Sequence, residues 1–211
     1  MRMWLKKGVS RDWVGLSKFV LFLLLLAPLV WLFLAGFNGH LGPDPAKTLV
    51  DEAGLWAIRF LLFCLAMTPL RRITGHSFWG RYRRMLGLFA LFYALIHMSS
   101  YVFLLFGARW AELAIEFTKR PYILIGSLAL LLMLPLGFTS TRWAQRKLKY
   151  RWIQLHRLIY PLSLLVLLHF IWVKKLGLHA IWPYALALFL LLGLRIWWFF
   201  RQSERKISIT R

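Results

Sequence analysis

The chain has 211 residues, 60% of them hydrophobic, with a mean hydropathy of +0.63 and a formal net charge of +21. That hydrophobic content lies outside the soluble range and marks an integral membrane protein. The charge does not point to nucleic acid, because the basic residues cluster between apolar runs rather than along one face, and a single cysteine, Cys64, excludes a disulfide framework.

A helix that crosses roughly 30 Å of hydrocarbon needs about 20 mostly apolar residues. Six stretches meet that requirement, at 15–37, 53–70, 84–106, 121–140, 152–173 and 180–200. The basic start and apolar run at the N-terminus resemble a signal peptide, but the run from Phe19 to Phe37 is long and no small-residue cleavage site follows, so it is read as the first span. Gly36, Gly39 and Gly42 lie in the loop after it without a preceding strand, which excludes a dinucleotide fingerprint, and Gly42-Pro43-Asp44-Pro45 is turn chemistry. The second span is the shortest and carries Arg59 in its first turns. Pro69, Pro121 and Pro183 sit at span ends, whereas Pro28, Pro135 and Pro161 lie inside and are expected to kink their helices. The segment from Ala108 to Arg120 reads as a short interfacial helix. No stretch is long enough for a soluble catalytic domain and nothing repeats internally, so residues 1–211 form one transmembrane domain.

Orientation follows from lysine and arginine in the short loops. One set of loops holds Arg2, Lys6, Lys7, Arg11 and Lys18, then Arg71, Arg72, Arg81, Arg83 and Arg84, then Arg142, Arg146, Lys147, Lys149 and Arg151, and at the end Arg201, Arg205, Lys206 and Arg211. The alternate loops hold Lys47, then Arg109, Lys119 and Arg120 offset by Glu112 and Glu116, then Lys174 and Lys175. The expected fold is therefore an all-α bundle of six transmembrane helices with both termini cytoplasmic. Trp31, Trp172, Trp182, Trp197 and Trp198 read as interfacial belts.

Ionisable side chains inside spans are costly and mark functional sites. His97 lies in the third span, and His156 and His169 lie in the fifth. At 1.5 Å per residue from the cytoplasmic side, His97 is roughly 20 Å deep, His169 roughly 26 Å and His156 only about 6 Å. His97 and His169 thus share the outer half of the membrane on two helices, the arrangement that supplies two axial imidazoles to a haem. With no C-x-x-C-H motif, such a haem is b-type. The face of His97 also carries Ala90, Tyr93, Ala94, Ser100 and Tyr101, and either Ser100 or a backbone carbonyl is expected to take the second imidazole proton.

His156 and His169 point about 140° apart on an ideal helix and cannot share one metal. The residue below His97 on its own face is Arg83. Either a second haem is bound through His156 with a weaker or non-histidine ligand, or His156 serves a flavin, a quinone or a propionate. Arg59 either neutralises a haem propionate or snorkels to the surface. Zinc is disfavoured because the ligands diverge. His40, His76 and His179 fall in loops and read as solvated.

LGPDPAK in the first outer loop, MTPLRRITG after the second span and RRMLGLFALFYALIHMSSY in the third resemble a known family, as do KRPYILIG, FTSTRWAQRKL, RWIQLHRLIYPL and HFIW further on. That family is MsrQ, also called YedZ, the haem-binding membrane subunit of the MsrPQ methionine sulfoxide reductase system. It belongs to the ferric-reductase-like transmembrane group. The likeness runs in order over nearly the whole chain and is weakest in the tails, about 1–14 and 200–211.

The resemblance implies a multi-pass protein of the bacterial inner membrane that takes electrons from the quinone pool or a cytoplasmic flavin reductase. They would pass to MsrP, a periplasmic molybdopterin enzyme that repairs methionine sulfoxide in periplasmic proteins. It also implies haem at His97, His169 and His156, numbering one or two, and FMN, for which no motif here gives a place. The protein itself is then a non-catalytic electron-transfer subunit, with Arg83, Arg84, Arg151 and Arg157 attracting an anionic donor at the inner face. The contrasting reading is a small non-redox transporter or assembly factor whose histidines relay protons. Against it stand the near absence of intramembrane acids and of an inverted repeat.

Overall fold

A computed structural model describes the backbone of residues 11–173 and 178–209 and the side chains of residues 13–173 and 179–201. Of the basic residues used for orientation, Arg2, Lys6, Lys7, Arg11, Lys174, Lys175, Arg205, Lys206 and Arg211 fall outside the described side chains. The described residues are mostly helical, with no strand among them. They divide into two compact units, residues 1–43 and 44–211. The first holds α1 (Arg11–Phe37), which continues through Pro28 as one helix.

The second unit holds α2 (Pro45–Thr74), α3 (Trp79–Ser99) with a π-helical continuation over Ser100–Leu105, α4 (Trp110–Lys119), α5 (Pro121–Phe138), α6 (Arg142–Leu148), α7 (Tyr150–His156), α8 (Ile159–Val173) and α9 (Leu178–Ile209). Six helical stretches are long and apolar enough to cross a bilayer: Trp13–Phe37, Pro45–Thr74, Trp79–Leu105, Pro121–Phe138, Tyr150–Val173 and His179–Arg201. These correspond one for one to the spans expected from sequence. The helix expected between Ala108 and Arg120 is α4.

The expected second span is the one whose length differs most. α2 is 30 residues long, not the shortest span, because it starts at its own cap: Pro45 fills the first helical position and Asp44 Oδ1 accepts from the Lys47 amide at 3.0 Å. Lys47, Asp51 and Glu52 occupy its first two turns, and that polarity reads as loop when hydropathy alone is averaged. Arg59 consequently lies in mid-helix rather than at its start. The helix ends at Gly75, whose φ of 71° is the left-handed cap conformation that a glycine adopts without strain.

The fifth span breaks into α7 and α8 at Arg157 and Leu158. Pro161 explains the position: it has no N–H for the Arg157 carbonyl and its ring crowds that carbonyl. The freed carbonyl of Arg157 instead accepts from the Tyr160 amide at 3.1 Å. His179, expected in a loop, lies in the first turn of α9.

Packing in the second unit is built on two antiparallel hairpins, α2 along α3 and α5 along α8, joined where α3 meets α5; α9 lies against α2 and α8. Ala53 and Ala90 are fully buried, and such small residues let helix backbones approach closely in a membrane. Phe60 packs its ring on Tyr93 at 5.2 Å and on Phe89 at 6.1 Å. Leu131, Phe189 and Leu190 are exposed on the outside, as lipid-facing side chains are. One cation is tucked into the bundle: Arg195 of α9 donates at 2.7 Å to Tyr160 Oη of α8 and at 2.7 Å to the Leu65 carbonyl of α2.

Candidate functional site

The two hairpins enclose a cavity of about 550 Å³ whose wall includes His97 of α3 and His169 of α8. The ring centroids of these two histidines are 6.1 Å apart and their planes cross at 82°. His97 Nδ1 lies 2.7 Å from the Val50 carbonyl oxygen and His169 Nδ1 lies 2.7 Å from the Tyr122 carbonyl oxygen. A carbonyl can only accept, so both Nδ1 atoms carry the proton and both Nε2 atoms keep a free lone pair. Tautomer fixing of this kind is what a metal-ligating imidazole requires.

The spacing fits one metal between the rings. With metal–nitrogen bonds of about 2.0 Å, two imidazoles on opposite sides of an ion have centroids roughly 6 Å apart. Nothing else nearby offers a tetrahedral set, for the described residues contain no group of three or more histidine, cysteine, aspartate or glutamate side chains suited to a metal ion. Two neutral nitrogens in an apolar cavity of this volume suit a haem rather than zinc. Tyr101 Oη and Ser127 Oγ, also in the cavity wall, are buried without a hydrogen-bond partner. Buried orphans of this kind are what the wall of a ligand site leaves when seen alone. At one end the wall carries Lys47, Arg109 and Arg120. Arg120 is paired with Glu116 and donates to Tyr122 Oη at 3.1 Å, and Arg109 is paired with Glu112 at 3.0 Å.

A second, smaller cavity of about 250 Å³ adjoins the first, with Leu61 and Met133 in both walls, and is lined by His156, Arg83, Arg84, Trp152, Cys64 and Gly80 among others. The His156 ring stacks on Trp152 at 3.9 Å and its Nδ1 faces the Trp152 carbonyl at 3.1 Å. Its Nε2 is buried and has no partner. The structure therefore groups His97 with His169 and His156 with Arg83, in different cavities. Arg59 lines neither: it stacks over Trp56 at 4.5 Å and donates to Tyr184 Oη of α9 at 3.1 Å. Ser100 is buried, but the proton acceptor for His97 is a carbonyl on the neighbouring helix.

Sequence reasoning missed what holds the two histidines. Each bonds a carbonyl 47 residues earlier in the chain, and each is packed on the glycine one turn beyond that carbonyl, Gly54 or Gly126. Val50 and Tyr122, Gly54 and Gly126, and His97 and His169 are each 72 residues apart, and further cavity-lining pairs recur at that offset: Ala57 with Ala129, Leu61 with Met133, Ala94 with Val166. The two hairpins are thus equivalent around the cavity, although the chain shows no repeat when read as letters. The available signal was a glycine recurring at one fixed distance before a membrane histidine.

A family model described as a ferric reductase-like transmembrane component matches residues 53–167, which spans both hairpins up to the middle of α8. Curated relatives carry the name protein-methionine-sulfoxide reductase heme-binding subunit MsrQ. The one from Xanthomonas euvesicatoria pv. vesicatoria is 46% identical over 79% of this chain and 77% of its own length. That from Xanthomonas campestris pv. campestris is 43% identical over 91% and 89%, and that from Xanthomonas oryzae pv. oryzae is 47% identical over 74% and 72%. No solved structure matches the chain.

Proposed function

Because this chain belongs to the ferric reductase-like transmembrane family and, within it, to the MsrQ haem-binding subunits, we propose that it is a b-type haem electron-transfer subunit serving a periplasmic methionine sulfoxide reductase. The observation that carries the reading is the pair of imidazoles, 6.1 Å apart, with both Nδ1 protons committed to carbonyls. Haem held between His97 and His169 supplies reversible one-electron chemistry when bound. The chain supplies the rest: two neutral Nε2 donors, a largely apolar wall, and at the rim Lys47 beside Asp51, with Arg109 and Arg120 already paired to Glu112 and Glu116.

In this reading both termini are cytoplasmic and the protein sits in the inner membrane, oriented by its basic loops. Electrons come from the quinone pool or a cytoplasmic flavin reductase and go to MsrP, the periplasmic molybdopterin partner. The second cavity takes a second ligand. A single unpaired imidazole beside Arg83 and Arg84 suits either a second haem with a non-histidine ligand or an FMN phosphate. Arg59, anchored to α9, takes no part in either cavity.

The purified full chain tests the reading by its absorption spectrum and its turnover. Reduction with dithionite is expected to give split α and β bands, and adding oxidised MsrP with a methionine sulfoxide peptide is expected to reoxidise it. A colourless protein with full helical content would end the haem reading. Slow reoxidation by MsrP of a coloured protein, no faster than by buffer, would reject the partner alone.

A further inference from the structure

The same device holds each histidine of the large cavity. A β-carbon built on Gly54 would stand 2.9 Å from His97 Nδ1 and 3.1 Å from its Cε1; one built on Gly126 would stand 2.6 Å from His169 Cε1 and 2.7 Å from its Nδ1. Real β-carbons essentially never come within 3.0 Å of such a neighbour. Both glycines are interior to long helices, where glycine costs about 1 kcal/mol relative to alanine. Helix propensity therefore disfavours them, and close approach by the imidazole is what favours them. Gly193, also interior to a helix, has nothing within 4 Å of the same construction, so glycine as such does not bring a ring close.

Each glycine works together with the carbonyl one turn before it on its own helix. The carbonyl, 2.7 Å from Nδ1, fixes which way the ring points and which nitrogen is protonated. The missing β-carbon leaves room for the ring to lie close against the helix backbone, and the two ring planes cross at 82°. We propose that Gly54 and Gly126 are positioning residues for the two axial imidazoles, and that with the Val50 and Tyr122 carbonyls they impose a crossed arrangement of the ligand planes. The inference rests on the haem reading of the cavity and deepens it.

Two readouts follow from general ligand chemistry. Crossed imidazole planes on a low-spin ferric haem give a highly anisotropic electron paramagnetic resonance signal with a large maximal g value, whereas parallel planes give an ordinary rhombic one. A hydrogen bond from Nδ1 to a carbonyl raises ligand basicity and favours the ferric state, so a ring pushed off its carbonyl raises the midpoint potential. The clash is tighter at Gly126 than at Gly54, and the effects should rank in that order.

The experiment uses the full haem-loaded chain in nanodiscs, comparing wild type, Gly54→Ala, Gly126→Ala, Gly193→Ala and His169→Ala by this resonance, by redox titration and by circular dichroism. Wild type and Gly193→Ala are expected to share the large-g signal and one potential. Gly54→Ala and, more strongly, Gly126→Ala are expected to lower the maximal g value or lose haem, and to raise the potential of what remains, with helicity kept. Should Gly126→Ala fail to fold, the milder Gly54→Ala decides against Gly193→Ala. Two folded alanine variants indistinguishable from wild type, or a rhombic wild-type signal, would overturn the positioning inference and leave the haem reading intact. A wild type without haem, or a His169→Ala variant that keeps the bis-imidazole signal, would instead bring down the haem reading and this inference with it.

Discussion

Replacing Tyr160 by phenylalanine tests how the bundle keeps α9 in place. Arg195 is held by two 2.7 Å hydrogen bonds, to Tyr160 Oη and to the Leu65 carbonyl, and its Nε is buried with no partner. Its guanidinium also lies 5.2 Å from the centre of the Tyr160 ring. Phenylalanine keeps the ring and its cation–π attraction but removes the side-chain acceptor. A hydrogen bond to a charged group contributes about 1.5–3 kcal/mol, which is a roughly tenfold to hundredfold change in the folded-to-unfolded ratio. Tyr160→Leu also removes the ring, adding about 0.5–2 kcal/mol more. Equilibrium unfolding in mixed micelles, followed by helicity, reads both differences. A Tyr160→Phe protein within about 0.5 kcal/mol of wild type, the range of an ordinary surface change, would refute the claim that Arg195 clamps α9 to α2 and α8.

Asp44→Ala removes the side-chain cap of α2 and is expected to lower stability by about 0.5–2 kcal/mol in the same assay; no change would mean that Pro45 alone starts the helix. Arg59→Gln is expected to keep the full haem content while weakening the contact of α2 with α9, because its partners are Trp56 and Tyr184. Loss of colour in that variant would put its charge at the haem after all.

Some of this was legible in the sequence and some was not, for physical reasons. The six spans follow from hydropathy because a helix is the structure a bilayer imposes, and the nearness of His97 and His169 follows from counting residues down two helices from one side. The start of α2 was misjudged because a capped, polar first turn looks like a loop to any average of hydropathy. The break before Ile159 was expected only as a kink at Pro161, while its place is set one turn earlier by the carbonyl that proline cannot serve.

What fixes the histidines was hidden more deeply. Their proton acceptors are backbone carbonyls, which carry no residue identity, so the choice between Ser100 and a carbonyl could not be made from letters. The equivalence of the hairpins was hidden because the paired positions share shape rather than type, as Leu61 with Met133 and Ala94 with Val166 show. Only Gly54 with Gly126, Ala57 with Ala129 and the histidines themselves repeat as identical residues among the pairs named here. Arg195 was read as part of an apolar span, and its two partners are far away in sequence.

The central claim is that His97 and His169 hold one haem between them and that His156 belongs elsewhere. Haem-to-protein ratio and the low-spin signal, measured together on His97→Ala, His169→Ala and His156→Ala in otherwise identical preparations, test it most directly. The account expects the first two to lose the bis-imidazole signal and the third to keep it. A His156→Ala protein that loses that signal, while either of the others retains it, would contradict the account.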